Sequence, residues 1–256
     1  MIESYVNLGE CYDRTGLQAV RKEIMGCMTG YKDCYKRAYR CLGAAAEIAE
    51  DMRAILTTDT LEEKVIKRVK GILSRELRTQ GSGSGQVKQR FLGAITHRGA
   101  VCYYDTASTL CKRIYTLEDN CGLSHLLLTH LLSASTAAGY DVVACPSPMA
   151  PDRLEHLLIP ELSLAFLSGS PGLLYEKRPY RKIRVDAMTD AELARRNKAR
   201  LRFSRRVSSA LIDEAVDSLA QAKAMHDELE ELYNPHVDFD RVYRTADDLA
   251  AEILGA

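Results

Sequence analysis

From Val20 to Ile55 the apolar and small positions recur in alternating steps of four and three. They are Val20, Ile24, Cys27, Tyr31, Cys34, Ala38, Cys41, Ala45, Ile48, Met52 and Ile55. This heptad seam, held for five repeats, predicts one long helix packed along its length. The Cys and Ala in its middle leave room for a partner helix to come close. Thr57-Thr58 breaks the pattern. Asp59 followed by Glu62 reads as an N-cap with an acid at the third position, so a second helix starts there and runs to about Leu77. So short a link predicts an antiparallel helical hairpin over residues 1–80. Gly81-Ser82-Gly83-Ser84-Gly85 then reads as a flexible linker, placed at 81–89.

From Arg90 the periodicity shortens. Arg90–Thr96 and Ala100–Tyr104 read as strands around a turn at His97-Arg98-Gly99. Ile114–Leu117, Asp141–Cys145 and Leu162–Leu167 read as further strands, and Lys182–Val185 as an edge strand. Ser124–Ala138 has helical spacing and stops at Gly139, a C-cap glycine. Strands alternating with helices predict an α/β core over 90–188, with a parallel sheet and right-handed crossovers. Thr189 with Glu192 forms a capping box, and the helix behind it runs to Tyr233, where Asn234-Pro235 ends it. A last short helix is expected at about Ala246–Leu254. Residues 189–256 are thus helices packing on the core.

Charge changes this picture. The 256 residues sum to zero, yet residues 177–206 hold twelve Lys/Arg against three acids, and residues 213–256 hold twelve acids against three bases. Within the first block lie Arg195, Arg196, Lys198, Arg200, Arg202, Arg205 and Arg206. Cations at the start of a helix oppose its macrodipole. This segment is therefore a candidate surface for nucleic-acid phosphate, for another polyanion or for an acidic partner, with pairing to the acidic C-terminal block as the structural alternative. No apolar run reaches the ~20 residues of a membrane span. The N-terminus lacks the regions of a signal peptide, and eight cysteines without one point to a reducing, cytoplasmic setting. Cys27, Cys34 and Cys41 are seven apart, about 10.5 Å along a helix, too far to share a zinc ion. No metal is expected. His226 and His236 have no partner at ligand spacing.

Residues 114–126 carry the most chemistry. Ile114–Leu117 leads into a polar turn and then the apolar run Leu126–Leu132, the strand–loop–helix order of a phosphate-binding loop. In that frame Asp119 takes the place of the first Gly, Ser124 the second, His125 the Lys and Leu126 the Ser/Thr. Asn120, Cys121, Gly122 and Leu123 fill the turn. A working loop needs glycines so that its amides can wrap phosphate, a Lys for the β/γ-phosphates and a hydroxyl for Mg²⁺. His125 is shorter than Lys and mostly neutral near pH 7, and Leu126 cannot bind metal.

The stretch from Arg90 to Pro171 resembles the second P-loop unit of a little-characterised bacterial family of tandem P-loop ATPase-like proteins. The likeness rests on Phe91…Ala94-Ile95-Thr96…Gly99 before the loop, and on Gly139-Tyr140-Asp141-Val142-Val143 after its helix. Pro151-Asp152-Arg153-Leu154-Glu155 and then Ile159-Pro160-Glu161-Leu162 complete it. Tyr5-Val6-Asn7-Leu8-Gly9-Glu10 and Arg37-Ala38-Tyr39-Arg40 resemble the tail of the family's first unit, which implies that the first P-loop lies outside these residues. The resemblance implies a P-loop NTPase-like sheet flanked by helices and weak binding of ATP or another nucleotide at 119–126. It also implies a Walker B acid where Ser168 stands. With Lys, Ser/Thr and that acid all replaced, hydrolysis is not expected. Asp152, Glu155 and Glu161 read as a helix cap, a nearby acid and a partner for a local Arg, or as inherited metal- or water-positioning acids. The leading reading is a degenerate module, nucleotide-binding or regulatory, working with a separate active P-loop unit or with itself. The alternatives are a nucleic-acid or polyanion-binding protein using 195–206, and an ATPase with unorthodox residues. No membrane partner is expected.

Overall fold

A computed structural model of the chain describes residues 5–78, 83–169 and 173–255. Gly81 and Ser82 of the expected linker, Met1–Ser4 and Pro171 lie outside the described residues. The chain forms two compact units, one built from its two ends (up to Arg37 and from Asp217 onward), the other from Ala38–Val216. The helices are α1 (Arg14–Ala19), α2 (Arg21–Leu56), α3 (Asp59–Glu76), α4 (Tyr104–Leu110), α5 (Ser124–Ala137), α6 (Ala191–Arg196), α7 (Lys198–Tyr233) and α8 (Phe239–Leu254). The strands are β1 (Val87–Gln89), β2 (Gly93–Thr96), β3 (Gly99–Cys102), β4 (Arg113–Glu118), β5 (Val142–Ser147), β6 (Ala150–Ile159), β7 (Leu164–Gly169) and β8 (Arg181–Arg184).

In the unit of the two ends, the chain start and the segment after α7 clasp each other. Tyr12 and Val237 form a β-bridge, and the amide of Asp238 donates to the Cys11 carbonyl at 2.8 Å. Arg241 donates to the Glu10 carboxylate at 2.6 Å. The Asp238 side chain accepts from the Arg241 amide, so α8 starts at Phe239, seven residues before the expected Ala246.

The larger unit is an α/β fold around a six-stranded sheet of order β1-β5-β6-β7-β4-β8, beside a β2–β3 hairpin. The sheet is mixed, not parallel as expected. β1/β5, β4/β7 and β4/β8 pair parallel, whereas β6 is antiparallel to both neighbours. Only Pro148 and Met149 separate β5 from β6, and two residues make a hairpin but not a crossover. Pro146 sits where the register shifts, the place a strand tolerates a proline. Asp152, read as a helix cap or an inherited metal- or water-positioning acid, is therefore an exposed strand residue. β1 also corrects the linker at its far end. Gly85 donates to Thr136 O and Gln86 to the Asp141 carboxylate, which anchors Val87–Gln89 beside β5.

Side chains alternate across the sheet with period two. Leu164 and Phe166 of β7 join one core with Tyr115 and Leu117 of β4, α3 (Leu61, Val65, Val69, Ile72) and α5 (Leu127, Leu131). Ala165 and Leu167 join a second core with Ile114, Cys145, Leu158, Ala107 of α4 and Cys111 just after it. α3 is capped by Thr58, whose hydroxyl accepts from Leu61 N, one residue before the expected cap. Along the seam Ala38 and Ala45 are completely buried. At Ala45 the approach of α7 is close enough for the Ser208 hydroxyl to donate to its carbonyl at 3.3 Å.

The Arg-rich segment is two helices, not one. Asp190, not Thr189, caps α6 by accepting from Glu192 N and Leu193 N, and the Thr189 hydroxyl donates to Asp186 O. Asn197 ends α6, its amides turned back onto Leu193 O, before α7 begins at Lys198. Arg195 and Arg196 therefore lie in a last turn, where cations favour the dipole. The opposed charges are those of the first turns of α7, Lys198 and Arg200.

Candidate functional site

The loop between β4 and α5 is filled by its own acid. Asp119 is buried, and its carboxylate accepts from Cys121 N at 3.0 Å and from Ser124 N at 2.5 Å. A carboxylate thus stands at the N-terminus of α5, where a phosphate would gain from the free amides and the dipole. Asn120 is tied by both its amides to Asp186, with the side-chain bond at 2.5 Å. Gly122 has φ +72°, and an added Cβ would lie 3.0 Å from the guanidinium of Arg53. Leu123 and Leu126 pack into the core, and the buried Ser124 hydroxyl has no partner among the described residues.

His125 does not imitate a lysine. Its Nδ1 donates to the Gly122 carbonyl at 2.9 Å, and its Nε2 accepts from Arg153 at 3.2 Å. Burial, reinforced by the charges of Arg153 and Arg53, holds the imidazole below its ordinary value. Glu50 bridges Arg53 (2.9 Å) and Arg153, and Arg205 donates to the Cys121 sulfur at 3.4 Å. Burial pushes that thiol up. Three guanidiniums, a neutral imidazole and three carboxylates thus surround the loop, an arrangement that fixes it. Asp119 taking amides two and five residues on is a local pattern that sequence could have offered. Glu50, Arg53, Arg153 and Asp186 come from distant segments, so no local spacing could announce them.

Ser168 lies on β7 opposite Leu117 of β4. It lines a cleft of about 240 Å³ at the carboxyl ends of these parallel strands, with Thr116, Glu118, Lys177 and Lys182. Open α/β sheets bind ligands at such strand ends. Beneath it the Ser168 amide donates to His156 Nδ1 at 3.1 Å, and the Tyr104 hydroxyl donates to the Ser168 carbonyl at 3.1 Å. The proton of His156 is therefore on Nε2, which faces Cys102 Sγ at 3.6 Å. This Cys/His pair, invisible in residue order, is not a nucleophile with its base. The imidazole donates to the sulfur, burial holds it down to about 3, and burial pushes the Cys102 thiol up to about 12. Glu155, beside it, is raised by burial to about 6. Glu161, the other acid once read as metal- or water-positioning, sits exposed in a 3-10 turn, Pro160–Leu162. Among the described residues no three His, Cys, Asp or Glu side chains converge as a metal site.

All seven cations of 195–206 are exposed. Arg195 and Arg196 pair with Glu192, Arg200 with Asp51 at 2.8 Å, and Arg205 with Cys121. Their partners are thus neighbours in the same unit, not the acids of the C-terminal block. Lys198, Arg202 and Arg206 have no ion-pair partner among the described residues. Arg202, Phe203 and Arg206 fall on one face of α7, and Phe203 is 65% exposed.

No family model, curated protein or solved structure matches this chain. No helix among the described residues is long and apolar enough to cross a membrane.

Proposed function

We propose that the chain is a non-hydrolysing α/β binding module that holds a phosphate-rich polymer, nucleic acid foremost, on the exposed cationic face of α6 and α7. The observation that carries this reading is the unneutralised Lys198, Arg202 and Arg206 around an exposed Phe203. Guanidiniums meet phosphates bidentately, and an exposed ring between them offers a base a stacking surface. In this reading residues 119–126 are a joint descended from a P-loop, with the Asp119 carboxylate standing where phosphate once bound.

Titrating labelled single- and double-stranded oligonucleotides at several salt concentrations tests it. Affinity is expected to fall steeply with salt, and Arg202→Ala/Arg206→Ala is expected to lower the salt slope by about two, near one per lost phosphate contact. No binding at low salt, or binding indifferent to that pair, would overturn the proposal.

A second reading is a nucleotide-binding or regulatory partner of a separate active P-loop unit. The cleft at the carboxyl ends of β4 and β7 favours it, because it offers a nucleotide a place the filled loop does not. Thermal stabilisation by ATP that is lost in Lys177→Ala/Lys182→Ala would support it.

A further inference from the structure

A second groove on the core unit lies elsewhere and is cationic. It has a volume of about 440 Å³ and is lined by Lys64, Lys67, Arg68, Gly71 and Arg75 of α3 and by Ala187 and Met188. No acid lines it. The five α3 positions follow steps of three, one, three and four, a single stripe of the helix. That stripe flanks the one formed by Leu61, Val65, Val69 and Ile72, which face the core.

The two ends of the stripe are held and the middle is open. Lys64 donates to the Met188 carbonyl at 3.0 Å. Arg75 donates to the Tyr115 hydroxyl at 3.2 Å, and that hydroxyl donates to the buried Glu76 at 2.6 Å. Glu76 is in turn held by Arg113. Lys67 and Arg68 have no ion-pair partner among the described residues. Gly71 forms part of the floor, and a Cβ added there would meet nothing within 4 Å. Glycine is a poor helix former, so its place here costs helix stability and leaves the groove clear.

We infer that this groove is a binding site for an organic polyphosphate of nucleotide size. Four cations and no acid select an anion of several charges. Arginine grips phosphate oxygens in pairs and lysine meets them as a point charge. From Lys64 to Arg75 the helix advances about 16 Å, and the volume lies in the small-molecule range. The apolar wall of Ala187 and Met188 gives the organic part of the ligand a surface, which a bare phosphate chain would not use. The site shares no residue with the Arg-rich face, so the inference does not rest on the function proposed above. It does touch the loop through one element, since Asp186, which holds Asn120, directly precedes Ala187.

Equilibrium dialysis or calorimetry of the full chain with ATP, without magnesium, tests the inference. Saturable binding is expected. It should weaken at least tenfold in Lys67→Ala/Arg68→Ala, whose side chains are exposed and have no ion-pair partner among the described residues, and whose loss should leave thermal unfolding near that of the parent. Gly71→Glu, which puts a carboxylate into the groove, should abolish binding, whereas Gly71→Ala should keep it within twofold. Inorganic tripolyphosphate should bind at least several-fold more weakly than ATP. Arg202→Ala/Arg206→Ala should leave ATP affinity unchanged, which separates this site from the α7 face. No saturable ATP binding, or ATP binding untouched by the Lys67/Arg68 and Gly71→Glu changes, would overturn the inference. So would an oligonucleotide whose binding depends on these residues when that of ATP does not.

Discussion

His156 is a titratable side chain sealed in the core, and its chemistry makes stability depend on pH. Its folded-state value is held down to about 3 by burial, against an ordinary 6.5. The unfolded chain therefore binds its proton first. Stability is complete above pH 6.5 and is lost as pH falls from there toward 3, by an amount on the order of a few kcal/mol. Glu155 works in the opposite direction. Burial raises its value to about 6, so the folded state takes up its proton first and regains stability as pH falls from 6 toward 4.5. Denaturant unfolding followed between pH 4 and 7 should show a net loss on acidification. His156→Gln should flatten that loss and Glu155→Gln should steepen it. A His156→Gln protein with the parent's pH profile would refute the assignment. Neither residue was legible as part of such a pair, because Cys102, His156 and Ser168 meet only when the β2–β3 hairpin, β6 and β7 are assembled. The residues of the loop were legible one by one. The acid that occupies its amides became visible only with the fold.

At the scale of elements, long periodic segments were the readable part. The seam predicted α2 to within a residue or two, and small side chains in it predicted a close helix neighbour, which α7 supplies at Ala45. Ala45→Leu should therefore overpack this contact and destabilise the chain by about 1–3 kcal/mol, measured by urea unfolding. A change below about 0.5 kcal/mol would mean that the helices can part there without loss. The short elements were less legible. Residues 150–159 alternate too weakly to read as a strand, and Asp152 reads as a helix cap, yet sheet neighbours on both sides impose β6. The break at Asn197 was hidden for a similar reason. Both flanks have helical spacing, and only the turned-back Asn197 amides divide them. The basic stripe of α3 was readable in principle. Its cations recur at helical spacing on one side, but the helix was identified by its buried face alone.

For the molecule as a whole, strand and helix patterns alternating between long helical ends predicted an α/β chain, and the structure has that architecture with a mixed sheet. Purified protein should release phosphate from ATP or GTP no faster than background, because the loop amides are taken, Leu126 faces the core and Ser168 offers no carboxylate. Multiple-turnover release that disappears in Gly122→Val or His125→Ala would contradict this. The one reversed strand also bears on how the chain reaches its native state. β5 and β6 are joined by two residues and can zip together locally, whereas β1 must find β5, and β4 must find β7, across some fifty residues. Local pairings close quickly and distant ones wait on the entropy of larger loops. The β5–β6 ribbon is then the natural nucleus on which β7 and β4 condense, and the parallel pairs on either side of it are the rate-limiting additions.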